Sequence, residues 1–139
     1  MSTTVSAELE LQLVASHRKI VPLAVSLFYF SDDPYAIRVA FHEGGDGPVE
    51  WTFARDLLSM GLQEREGPGD VTVWPSAGSD GGPPGSVLNI ELSSPFGSAH
   101  FEASASRVSD FLRRTYQIIP AGEESEHIDF ATGLRDLLR

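Results

Sequence analysis

Apolar residues recur at strict period two along the start of the chain: Val5, Ala7, Leu9, Leu11 and Leu13 alternate with Ser6, Glu8, Glu10 and Gln12. Thr4 to Val14 is therefore predicted as a β-strand with one buried and one wet face, since a helical period of 3.6 does not generate this pattern. The next segment, Val21 to Phe30, differs. Val21, Leu23, Val25, Leu27 and Tyr29 take one face, while Ala24, Phe28 and Phe30 take much of the other. A strand apolar on both sides is expected to be covered on both sides, by a helix or by another subunit. Ser31-Asp32-Asp33-Pro34 supplies a turn. Tyr35 to His42 alternates again, Glu43 to Pro48 turns, and Val49 to Phe53 carries Val49, Trp51 and Phe53 on one face. Connections this short make the four strands an antiparallel meander.

Ala54 to Leu62 is predicted as a short helix with a narrow stripe of Leu57, Leu58, Met60 and Leu62. Val71 to Trp74 is a strand expected to stop at Pro75. Gly81-Gly82-Pro83-Pro84-Gly85 makes residues 76–86 a mobile connection of hairpin type. Val87 to Leu92 and Ser98 to Glu102 give two more strands. Ser106 is expected to cap the longest helix, which runs to about Gln117 with Val108, Phe111, Leu112, Thr115 and Tyr116 on one side. Asp110 is placed to pair with Arg113 and Arg114, and Pro120 ends the helix. Asp129 is expected to cap a last helix carrying Phe130, Leu134, Leu137 and Leu138, with Glu123, Glu124 and Glu126 at its positive end. Trp51 to Leu58 and Phe101 to Val108 echo one another as strand running into helix. The pattern predicts one α+β domain over residues 1–139, with two antiparallel β-sheet units and helices in strand block–helix–strand block–helix order.

Charge narrows the function. The 139 residues hold ten Lys and Arg against twenty Asp and Glu, a net charge of −10, and no basic run exceeds two residues. Phosphate backbones and anionic membranes both select for concentrated cations, so neither nucleic acid nor a membrane is an expected partner. No run of 18 apolar residues suggests a membrane span. Met1 to Val14 lacks the pattern of a signal peptide, and the cytoplasm is the expected location. With no cysteine, disulfides and thiolate metal sites are absent. His17, His42, His100 and His127 show no ligand spacing, so no metal and no cofactor is expected. No nucleophile elbow or phosphate loop occurs. Asp32-Asp33, Glu64 with Glu66, and Glu123-Glu124 lie in polar turns where carboxylates stay solvated, which is unfavourable for acid–base catalysis. Trp51 is in register with Val49 and Phe53 and is expected in the core. Trp74, at a strand end beside Pro75, suits core or interface.

Several segments together resemble the SsgA-like proteins of spore-forming actinomycetes. They are Thr3-Thr4-Val5-Ser6-x-Glu8-Leu9-x-Leu11, Asp33-Pro34-Tyr35-Ala36, Val49-Glu50-Trp51-x-Phe53-Ala54-Arg55-Asp56-Leu57-Leu58 and Gly69-Asp70-Val71-x-Val73-Trp74-Pro75. Leu92-Ser93-Ser94-Pro95-x-Gly97 and Phe111-Leu112-x-Arg114-Thr115 extend the likeness toward the C-terminus. The resemblance implies a non-enzymatic protein of sporulation-specific cell division that recruits or positions the tubulin-like protein FtsZ at septation sites, alongside SsgA-like paralogues. It further implies a Whirly-like fold assembled as a homotrimer. Its family motif falls on Trp51, Phe53, Arg55, Asp56, Leu57, Leu58, Asp70, Trp74 and Pro75. Partner contacts are expected around Phe28, Phe30, Asp32, Tyr35 and Trp74. The alternatives are a single-stranded nucleic-acid binder of Whirly type, for which the chain lacks a basic groove, and a small enzyme whose site is assembled by the fold.

Overall fold

A computed structural model describes residues 2–15, 19–42, 49–67, 69–78 and 81–127. The strands are β1 (Thr4–Val14), β2 (Ile20–Phe30), β3 (Ala36–Phe41), β4 (Val49–Ala54), β5 (Val71–Ser76), β6 (Val87–Ser94) and β7 (Gly97–Ser104). Helix α1 (Arg55–Gly61) follows β4, and α2 (Ala105–Ile118) follows β7. A 3-10 turn occupies Glu124–His127. The expected turn at 43–48 and the expected final helix from Asp129 lie outside the described residues, as does His17.

The strands do not form two separate sheets. They make one seven-stranded antiparallel sheet in the order β4-β3-β2-β1-β7-β6-β5. Its two meanders join at a short seam, where Gln12 meets Glu102 and Leu13 meets Phe101. β1 is long enough, at 11 residues, to pair with β2 throughout and still offer its far end to β7. So short a seam lets the sheet fold over on itself. Phe41 and Phe101 stand three strands apart, about 14 Å in a flat sheet, yet their ring centroids are 5.3 Å apart. The concave side is thus the core. Leu9, Leu27, Val39, Leu88, Ile90 and Phe101 meet there, sealed by Leu58 of α1 and by Val108, Phe111 and Leu112 of α2.

Local differences from the sequence expectations have local causes. β5 runs through Pro75 to Ser76. It is a rim strand, and the position of Pro75 points its nitrogen outward, where no ladder bond is needed. β7 continues to Ser104, so α2 begins earlier and Ser104, not Ser106, caps it by accepting from the Arg107 N–H at 3.4 Å. Asp110 pairs with Arg113 at 3.1 Å, whereas Arg114 reaches β1 and donates to the Ser6 carbonyl at 3.1 Å. In α1 only Leu58 of the expected stripe is fully buried, and Met60 is exposed. Seven residues present one narrow face, and Gly61 completes it by lying directly on β5.

Candidate interaction surface

The convex side of the sheet carries Phe28 and Phe30, two of the aromatic residues singled out from sequence. Phe28 stands opposite Ser6 of β1 and Arg38 of β3, and Phe30 stands opposite Thr4. Their rings stack with centroids 6.2 Å apart and planes 13° apart. The Arg38 guanidinium lies 4.8 Å from the Phe30 ring centroid and 3.4 Å from the Asp33 carboxylate. Neither helix provides the cover expected for this side, because the buried residues of both join the concave core. Phe28 and Phe30 therefore stay half-buried. The adjoining turn is anchored by the Tyr29 hydroxyl, which donates to the Pro34 carbonyl at 3.0 Å. Burial pushes the Tyr29 phenol up to about 12, against the opposing pull of Arg55. Asp32 and Tyr35 project from that turn into solvent.

Trp74 does not join this group. It sits on β5, four strands away from β2. There its ring lies 4.5 Å from the Arg65 guanidinium and stacks on His100 at 5.2 Å. Asn89, buried beneath, donates to the Trp74 carbonyl at 3.1 Å and to Ser76 Oγ at 2.8 Å. Its Oδ1 is 2.8 Å from His100 Nε2, which fits a ring protonated at that nitrogen. The five expected contact residues thus occupy two places.

The motif around Arg55 is structural. Trp51 and Phe53 face the concave side, Leu57 and Leu58 bring α1 onto the core, and Asp56 is exposed in the first turn of α1. Asp70 offers its carbonyl to the Ser93 N–H at 2.8 Å. Arg55 is only 1% exposed. Its Nη1 donates to the carbonyls of Ile119 (2.8 Å) and Thr115 (3.3 Å), and its Nη2 to Glu124 Oε1 at 2.9 Å. The guanidinium also lies 4.1 Å from the Tyr116 ring and 5.0 Å from that of Tyr29. Arg55 thereby binds two carbonyls at the C-terminal end of α2 and draws the following segment onto the β4–α1 junction. Glu124 corrects the expectation of a solvated carboxylate: it is 5% exposed. Hydrogen bonds from its own backbone N–H, from Arg55 and from Gly122 hold its carboxyl below the usual range, with burial opposing. No spacing rule links positions 69 residues apart. The available signal was an Arg at the place where the internal echo carries Ala105.

Among the described residues no group of three His, Asp or Glu is placed to hold a metal. Among the described residues the one carboxyl drawn clearly downward, Glu124, is engaged by Arg55, so it has no proton to give at neutral pH. Ser26 Oγ and His42 Nε2 lie 2.6 Å apart, but Ser26 is buried. No described helix is long and apolar enough to cross a membrane.

A family model described as Streptomyces sporulation and cell division protein, SsgA, matches residues 23–124. The sporulation-specific cell division protein SsgB of Thermobifida fusca is 52% identical over 127 residues, 91% of this chain and 89% of that protein. SsgB of Streptomyces coelicolor is 46% identical over 138 residues, 99% and 98% of the two chains. A solved structure of an SsgA-like sporulation-specific cell division protein from Thermobifida fusca YX-ER1 superposes with a TM-score of 0.84 at 48% identity, covering 97% of this chain and 96% of that one. A second, from work correlating SsgB mutations with longitudinal cell division during sporulation of Streptomyces coelicolor, gives 0.84 at 47% identity over 92% and 98%.

Proposed function

The chain belongs to the SsgA family of sporulation and cell division proteins, and from that membership we propose that it is a non-enzymatic adaptor, cytoplasmic and concentrated at division septa, that recruits or positions FtsZ there. The observation that carries an adaptor role is the stacked Phe28–Phe30 pair. A chain whose core is closed on the concave side leaves two large rings half open on the convex side, and such rings are the usual anchors of protein interfaces. In this proposal copies of the chain associate as a homotrimer with a Whirly-like arrangement, so that one weak docking patch acts three times and gains avidity. The net charge of −10 suits a protein partner better than a phosphate backbone.

The test is the position of fluorescent FtsZ in sporulating cells with and without this protein, together with capture of purified FtsZ by the purified chain. Loss of ordered FtsZ rings and direct capture are expected. Unaltered rings and no capture by folded protein would remove the adaptor role. A salt-sensitive shift of labelled single-stranded DNA would instead favour the nucleic-acid alternative.

A further inference from the structure

The two rims of the sheet are finished differently. The Ser93 N–H to Asp70 carbonyl bond, 2.8 Å, sets the phase of the β5–β6 ladder, so Val71, Val73 and Pro75 point their backbone groups outward. That rim is partly closed at its middle: Val73 exchanges two hydrogen bonds with Glu66, at 2.8 and 2.9 Å, and Pro75 has no N–H. At β4 the phase follows from the Arg55 N–H, which donates to the Tyr35 carbonyl at 2.7 Å. In that register Val49, Trp51 and Phe53 bond to β3. Glu50 and Thr52 then aim their N–H and C=O groups away from the sheet, and no described residue takes them. Beside this rim is a shallow hollow lined by Trp51, Leu92, Ser94, Phe96, Ala99 and Phe101. Phe96, at the tip of the β6–β7 hairpin, is 99% exposed.

We propose that the open rim of β4 receives an extended basic segment of a partner protein as an added antiparallel strand. An apolar side chain of that segment sits between Trp51 and Phe96, and a Lys or Arg lies opposite Glu50. The geometry meets both demands of strand addition, main-chain groups for affinity and a pocket at alternate residues for selectivity. A residue opposite Trp51 would make a non-hydrogen-bonded pair, the closer kind, with its side chain on the concave side where the hollow lies. Charge selects the occupant. A second copy of this chain carries the same −10 and brings another Glu50 to the rim, whereas a basic strand is attracted. The proposal rests on the adaptor role and specifies the kind of segment an adaptor of this shape would hold.

The probe is a capped heptapeptide alternating Lys with Val and Leu, added to 15N-labelled full-length protein. Binding is expected to slow amide exchange at Glu50 and Thr52 at least tenfold, leaving Val71 unchanged. N-methylating the peptide at its rim-facing amides, or exchanging Lys for Glu, is expected to weaken binding at least tenfold. Unchanged exchange at Glu50 and Thr52, or equal binding by the methylated or acidic peptide, overturns the proposal. Thr52→Pro, which deletes one rim N–H, supplies a second arm. Undiminished capture of FtsZ by Thr52→Pro overturns the rim and leaves the adaptor role standing. Peptide binding as expected with no FtsZ capture by the natural chain does the reverse. A drop in oligomer mass on Thr52→Pro assigns the rim to a second copy and likewise overturns the proposal.

Discussion

A single guanidinium ties the end of α2 to the start of α1. Arg55 succeeds where Lys would not, because its planar fork serves two carbonyls and a carboxylate at once. Its carboxylate partner makes the junction sensitive to acid. The Glu124 carboxyl is held below its ordinary value of 4.5 in the folded chain, so on acidification the unfolded chain takes up this proton first. The stability Glu124 contributes is fully present above the unfolded value and is lost as pH falls through the folded value. Urea midpoints should therefore hold steady from pH 7 to about 5 and decline below. Glu124→Gln should lower the midpoint at pH 7 and show a shallower acid decline, so that the two profiles converge as pH falls through the folded value of the carboxyl. Parallel profiles would mean that the pair does not set the acid limb.

At the scale of elements, α1 depends on an absent side chain. A methyl group at Gly61 would overlap Val73 of β5, whose own side chain is fully buried. Gly costs a helix about 1 kcal/mol relative to Ala, so propensity alone favours Gly61→Ala. Overlap in a packed core costs about 1–3 kcal/mol and should prevail. Gly61→Ala is expected to lower unfolding free energy by up to about 2 kcal/mol in urea titration, and Val73→Ala in the same chain should recover part of the loss. A stabilised Gly61→Ala single variant would show that the contact relaxes freely. The strands and helices themselves were legible because their signals are local: period two in β1, spacing of three and four in α2. What was not legible depends on neighbours distant in sequence. Pro75 reads as a stop until β5 is known to be a rim strand. Glu124 reads as a solvated turn residue until Arg55 is brought beside it. Phe28 and Phe30 stand out by their alternation, but it is the placement of both helices on the concave side that leaves them half-buried.

For the whole molecule, the half-open rings of Phe28 and Phe30 raise the question of what assembly costs and gains. Burying the remaining half of two Phe side chains is worth about 2 kcal/mol per copy, too little to hold two copies together alone but substantial when repeated around a closed ring. Removing both rings should hence act on association far more than on folding, since neither belongs to the concave core. Light scattering of the natural chain is expected to give roughly three times 15.1 kDa, and Phe28→Ser with Phe30→Ser is expected to give the single-chain mass with an unchanged far-ultraviolet circular dichroism spectrum. Thr4, Ser6 and Arg38 surround the pair and are polar, so serine there leaves an ordinary wet sheet face. A natural chain that already scatters as 15.1 kDa, or a double variant that keeps the larger mass, would show that these rings do not join copies of the chain and would assign them to another partner.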